Sequence, residues 1–324
     1  MKNLLKQILP SSQLKVLKRI KFYYLRVVYR VRLLRRISTI SAIHLEFVNY
    51  CNLKCKWCSL DRVQKRCAMK EDLLCRLFDN LLSDKRLRSV KTLNLWNGGE
   101  ILLHPRLLDM LNIVKRYKAA FAERRIPFPA IHLITNGIEL TSELSRDLVN
   151  LDIADSIFFS VDGGSREKYE ELRKGAKWDT IYRNIVDFVK INNGKIRTGI
   201  NCVVENDKEL TTDWMTDEFR RLLDLVDRFE LRHPHDWIGN VEVEGHKKTV
   251  MSYCRFLIYS LVVLPNGDVA ACCADLNGEW PIGNLYSDDL YRIYSSRRRQ
   301  EMISNVLAGR RDKIKLCENC GGYG

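Results

Sequence analysis

The chain lacks any run of 18 apolar residues, which excludes a helix that crosses a bilayer. It also lacks acidic charge at its start. The first 45 residues hold eleven of the 54 Lys and Arg and none of the 40 Asp and Glu, so the formal charge of +14 is concentrated there. What remains is 43 basic against 40 acidic groups, a body near neutrality that predicts no nucleic-acid partner. No signal-peptide pattern is evident, and the eleven cysteines are odd in number, with seven in ligand-like spacings. A disulfide framework is therefore not expected, and a reducing, cytoplasmic compartment is.

Residues 1–42 read as a basic arm. From Leu14 to Ile37, cations such as Lys18, Arg19, Arg26 and Arg30 interleave with Leu17, Ile20, Tyr23 and Val27. A basic helix with an aromatic and aliphatic face suits peripheral contact with the inner, anionic face of a membrane. The competing reading is a helix packed on the body with its cations in water.

The body is organised around Cys51-Asn52-Leu53-Lys54-Cys55-Lys56-Trp57-Cys58, three cysteines spaced C-x3-C-x2-C after the apolar run 43–48. Three thiolates so close hold three corners of one metal centre, and soft sulfur selects iron-sulfur clusters, zinc or copper(I). A structural zinc site wants four ligands, whereas a 4Fe-4S cluster on three cysteines keeps one iron open. A zinc knuckle short of one ligand and simple buried thiols are the other readings.

Downstream, short apolar runs alternate with helical patterns, as in a parallel α/β sheet. Strands are expected at 44–48, 92–96, 130–134, 157–161, 199–204 and 228–232, and helices from Met69, from Pro105 and after a cap at Ser142. Six such units make a partial (β/α)6 TIM-like barrel over residues 43–240, with chemistry at the carboxyl ends of the strands. The segments Asn97-Gly98-Gly99-Glu100, Thr135-Asn136-Gly137, Ser160-Val161-Asp162-Gly163 and His233-Pro234-His235-Asp236-Trp237 all fall at those ends.

With the aromatic Trp57 before its last cysteine, the C-x3-C-x2-C loop resembles the signature of the radical S-adenosylmethionine (radical SAM) enzymes. The resemblance implies that Cys51, Cys55 and Cys58 hold a 4Fe-4S cluster on which S-adenosylmethionine is cleaved to a 5'-deoxyadenosyl radical. Gly98, Gly99 and Glu100 resemble the family's motif for the amino group of S-adenosylmethionine, with Ile101 where a Pro is common. Ser160 and Asp162 resemble its Ser-x-Asp-Gly contacts to the methionyl carboxylate or ribose, and the resemblance implies Asn136 as a further cofactor contact. Flavodoxin or ferredoxin is the implied electron donor.

Cys254, Cys272 and the terminal Cys317-Glu318-Asn319-Cys320 resemble the family's auxiliary-cluster (SPASM) domain in its shortened, single-cluster twitch form. That makes residues 241–324 a small α+β domain with a hairpin over 261–272 and helix over 288–307. The resemblance implies a second 4Fe-4S cluster on these four cysteines, though four cysteines also suit zinc. Cys273 is a candidate hydrogen donor, and His235 and Asp236 are candidate catalytic groups able to bond hydroxyls and take a proton. The expected substrate is a small molecule, a sugar or aminocyclitol that is nucleotide- or lipid-linked, oxidised at a hydroxyl with the second cluster as electron acceptor. An epimerase or peptide-modifying enzyme, and a non-enzymatic zinc protein at the membrane, are the alternatives.

Overall fold

The computed structural model describes residues 39–60, 63–205, 209–243 and 254–320, with Val16, Ile20, Tyr23, Tyr24, Val27 and Val28 of the arm. The rest of the arm lies outside these residues. Eleven strands follow in chain order: Ala42–Leu45 (β1), Lys54–Cys55 (β2), Thr92–Asn94 (β3), Ala130–Thr135 (β4), Ser156–Ser160 (β5), Arg173–Lys174 (β6), Arg197–Val203 (β7), Arg228–Arg232 (β8), Ser260–Val263 (β9), Asp268–Ala270 (β10) and Pro281–Asn284 (β11).

One sheet of nine strands, ordered β11-β10-β9-β1-β3-β4-β5-β7-β8, carries the molecule. It is parallel from β9 to β8, and the hairpin β10–β11 adds antiparallel strands at one edge. All six barrel strands expected from the sequence form, so the architecture is the partial TIM-like barrel. The sheet runs on past residue 240, because β9 lies beside β1 with Leu45 against Val263. Among the described residues no helix is long and apolar enough to cross a membrane.

The helices cover one face of the sheet for the usual reason, an apolar stripe at 3.6-residue spacing. Glu71–Ser83 buries Leu73, Leu74, Leu77, Phe78 and Leu81, and Leu107–Glu123 buries Met110, Leu111, Val114 and Phe121. Ser142 is not the cap of its helix but its first residue; the cap is Thr141, whose hydroxyl accepts from Leu144 N. Pro105 stands before the cap Arg106 rather than inside the first turn. The helix expected over 288–307 is two, Leu290–Tyr294 and Arg297–Leu307, because Ser296 caps the second by accepting from Arg299 N.

Strand β4 shows what this layering leaves for the other face. Ile131, Leu133 and Thr135 are buried, while His132 and Ile134, on the alternate positions, are half-buried and line the barrel lumen.

Candidate active site

The chain leaves β1 into the cysteine loop, and the loop is tied down from four directions. β2 pairs with β6, placing Cys55 opposite Arg173, and Lys56 N donates to Leu172 O. The Trp237 indole donates to the Trp57 carbonyl at 2.8 Å. Asn136 Nδ2 donates to Asn52 Oδ1 and lies 3.6 Å from Cys51 Sγ, and an Arg173 guanidinium nitrogen is 3.7 Å from Cys55 Sγ. Cys51, Cys55 and Cys58 border one space of about 260 Å³ with Tyr50, Leu53 and Leu60. Burial pushes all three thiols up, Cys58 to about 11, while the Arg173 charge draws Cys55 back down. Among the described residues no three His, Cys, Asp or Glu side chains converge as a single bound ion requires. Three thiols around one space fit a cluster that takes them as thiolates and releases their protons.

Gly98 and Gly99 fold beneath this loop. Their N–H groups donate to Glu46 Oε1 at 2.8 and 3.3 Å, and Glu100 N donates to Tyr50 O. A Cβ at Gly99 would lie 1.9 Å from the Val48 carbonyl oxygen, so only glycine permits the approach. The Glu100 carboxylate is engaged by the protein: it accepts from Leu102 N, Thr135 Oγ1 and Asn136 N. Burial raises its pKa, and the Asn136 N–H and Thr135 hydroxyl oppose the rise. Glu46 is 1% exposed, its Oε2 makes no hydrogen bond, and burial pushes it to about 7.

Ser160 is half-buried at the end of β5, opposite Asn201 of β7. Asp162 is committed to the protein, pairing with Arg173 and accepting from Val203 N at 2.7 Å. Any contact it makes with a cofactor would share those partners.

The four auxiliary cysteines are gathered from both ends of the C-terminal region. Cys254 feels the charges of Cys272 and Cys320, and Cys317 those of Cys272, Cys254 and Cys320, so the sulfurs share one neighbourhood. Burial pushes Cys254 to about 11 and Cys317 to about 12. A cavity of about 400 Å³ lies between the two cysteine sites, walled by Ser59, Ile238, Ala274, Leu276, Trp280 and Leu316. Cys273 packs with Phe256 on Val262, Leu264 and Ala270. Cys202 is fully buried in the core.

A second cavity, of about 440 Å³, is the barrel lumen, lined among others by Asn94, Trp96, His132, Phe158, Asn201 and Glu230. Barrels of this kind usually fill the lumen with branched aliphatic side chains. Here polar side chains share the lumen with apolar ones. Asn94 Nδ2 bonds His44 Nε2, His132 Nδ1 is 2.8 Å from Ser156 Oγ, and Asn201 Oδ1 is buried without a partner. Burial lowers His44 to about 4 and lowers His132 as well, so both rings are neutral.

At the exit of β8, His235 Nδ1 accepts from Trp237 N, and Asp236 caps the short turn that follows by accepting from Ile238 N. A neutral ring so arranged carries its proton on Nε2 and has no free lone pair for another. This cluster joins the cysteine loop through Trp237 and the intercysteine cavity through Ile238.

Residues 45–212 match the radical SAM superfamily, over more than half of the chain. The chain belongs to the radical SAM superfamily. Residues 254–321 of this radical SAM enzyme match the SPASM iron-sulfur cluster-binding domain. Its cofactors are therefore iron-sulfur clusters and S-adenosylmethionine. It is similar to BtrN in complex with AdoMet and 2-DOIA, at 18% identity and a TM-score of 0.59, with 87% of this chain and 93% of that one covered. It is similar also to Streptococcus suis SuiB bound to precursor peptide SuiA (14%, TM-score 0.63, 89% and 72%) and to anSMEcpe with bound AdoMet (16%, TM-score 0.63, 86% and 88%). At these identities the likeness is one of fold. No curated protein sequence matches the chain.

Sequence reasoning missed Glu46, Arg173 and the polar side chains in the lumen of this radical SAM enzyme. Glu46 had a signal, an acid inside the apolar run before the first cysteine. Arg173 had none, since its partner Cys55 lies 118 residues away.

Proposed function

We propose that the enzyme oxidises a hydroxyl of a sugar or aminocyclitol, nucleotide- or lipid-linked, inside the barrel lumen. The reading assigns one 4Fe-4S cluster to Cys51, Cys55 and Cys58 and a second to Cys254, Cys272, Cys317 and Cys320, with flavodoxin or ferredoxin as electron donor. S-adenosylmethionine would meet Gly98, Gly99, Asn136 and Ser160, with Glu100 and Asp162 holding that frame in place. Bound there, S-adenosylmethionine and the clusters would supply a 5'-deoxyadenosyl radical as hydrogen-atom acceptor for the carbinol carbon and an acceptor for the electron left behind. The chain must then orient the hydroxyl and accept its proton.

The observation that supports this substrate is the lumen itself. Trp96 offers a flat apolar face, and Asn94, His132 and Asn201, on three different strands, offer amide and imidazole groups, a set suited to a ring that carries hydroxyls. The reading takes the His132 tautomer that donates Nδ1–H to Ser156 Oγ, which keeps Nε2 as the acceptor for the hydroxyl proton. His235 is engaged at Nδ1 and suits orientation better than proton transfer.

The test is anaerobic. Reconstituted protein should hold about eight irons, with about four left in a Cys51/Cys55/Cys58→Ala variant. With dithionite and a panel of UDP-glucose, UDP-N-acetylglucosamine and 2-deoxystreptamine, at least one compound should raise 5'-deoxyadenosine release and yield a carbonyl product lighter by two hydrogens. His132→Phe should suppress that product and leave substrate-free cleavage of S-adenosylmethionine intact. Stimulation by peptides alone would assign the lumen to another chemistry.

A further inference from the structure

The arm has no place in the proposed chemistry. Val16, Ile20, Tyr23, Tyr24 and Val27 are helical and are 55%, 60%, 67%, 66% and 45% exposed. At 3.6 residues per turn, these five positions fall within an arc of about 100° on a helix. Scattered apolar side chains on a surface need no explanation, but a stripe of five marks a contact surface.

Charge selects the occupant. Between Lys15 and Arg36 the sequence places nine Lys and Arg and no Asp or Glu. A second copy of the arm would bring nine further like charges to the contact. The body, near neutrality, leaves the stripe uncovered. An anionic lipid surface offers both an apolar bed and opposite charge, and tyrosines are at home where the two meet.

We infer that the stretch from Val16 to Val27 docks the enzyme on an anionic lipid surface, its exposed apolar stripe entering the boundary between headgroups and acyl chains. The active site would then work on substrates at or near that surface. This holds or fails independently of which hydroxyl the enzyme oxidises.

The experiment is co-sedimentation of the anaerobically purified holoprotein with vesicles of phosphatidylglycerol in phosphatidylcholine, or of phosphatidylcholine alone. Binding is expected to the first and not the second, and to weaken with salt. Replacing Val16, Ile20, Tyr23, Tyr24 and Val27 together by Ser should lower the bound fraction about ten-fold. Substrate-free 5'-deoxyadenosine release should stay unchanged, which shows that the variant is folded and loaded. The inference is overturned if the Ser variant binds as the parent does or if neutral vesicles bind equally. It is also overturned if sedimentation velocity shows a dimer that the Ser variant loses while neither protein binds vesicles.

Discussion

Arg173 and Asp162 form a buried ion pair, with Nε 2.8 Å from Oδ2 and side chains only 12% and 4% exposed. The pair joins the exit of β5 to the cysteine loop, because the same guanidinium lies 3.7 Å from Cys55 Sγ. Burial works against the Arg173 charge, and Asp162, Cys55 and Tyr169 together more than offset it. Removing one partner strands the other. Asp162→Leu alone should therefore cost about 3–5 kcal/mol, while Asp162→Leu combined with Arg173→Met should cost far less. Urea unfolding of the four proteins of this cycle decides it; additive losses would show that the two residues act separately.

Gly99 is the tightest backbone contact beneath the cofactor site. Its missing Cβ leaves room for the Val48 carbonyl oxygen, which a methyl group would meet at 1.9 Å. Val48 and Tyr50 both meet it through backbone carbonyls, so neither can swing away. Gly99→Ala should yield protein that retains iron at Cys254, Cys272, Cys317 and Cys320 but binds S-adenosylmethionine at least about ten-fold more weakly. Equilibrium dialysis with labelled S-adenosylmethionine measures this, and parental affinity in the variant would remove the loop from the binding site.

Glu46 gives the fold a pH dependence with a definite sign. Its carboxyl is raised from 4.5 to about 7 by burial, so the native state keeps the proton that the unfolded chain releases. Stability from this group is full below about pH 4.5 and is lost as pH rises to about 7. Glu46→Gln stays neutral and can still accept from Gly98 N. It should match the parent near pH 4.5 and exceed it at pH 8 by at most about 3 kcal/mol. Glu100, raised by burial too, is common to both proteins and cancels from the difference. Thermal midpoints of the pair across this range test it, and a difference that does not change with pH refutes it.

Much of this was legible in the sequence where the signal is local. Buried parallel strands read as apolar runs, which is why the stretch 130–134 is found as Ala130–Thr135 and 157–161 as Ser156–Ser160. The cysteine spacings are local as well, and they mark both sulfur sites. What the sequence hides is pairing at a distance. The two-residue strands Lys54–Cys55 and Arg173–Lys174 have no periodicity to read, and their pairing is what brings Arg173 to Cys55. Side-chain commitment is hidden too: Asp162 and Glu100 read as free ligands for a cofactor, yet protein groups already engage both carboxylates. The lumen escaped notice because His132 and Asn201 each look like a lone polar residue in an apolar strand until adjacent strands bring them together.

Trp237 and Ile238 hold left-handed backbone, at φ 48° and 60°, in a turn that sends the Trp237 indole to the Trp57 carbonyl. A β-branched residue in that conformation is costly, so surrounding contacts must impose it. The contact it secures ends one residue before Cys58. Trp237→Phe keeps an aromatic side chain, though a smaller one, and deletes the donor. It should cost about 1 kcal/mol in stability, and the unsupported cysteine loop should surrender iron to a chelator several-fold faster. Ile238→Gly relieves the backbone without touching the indole, and should retain iron as the parent does. If Trp237→Phe loses iron no faster than the parent, the indole merely fills a seam and the cysteine loop is held by Arg173, Asn136 and the β2–β6 pairing alone.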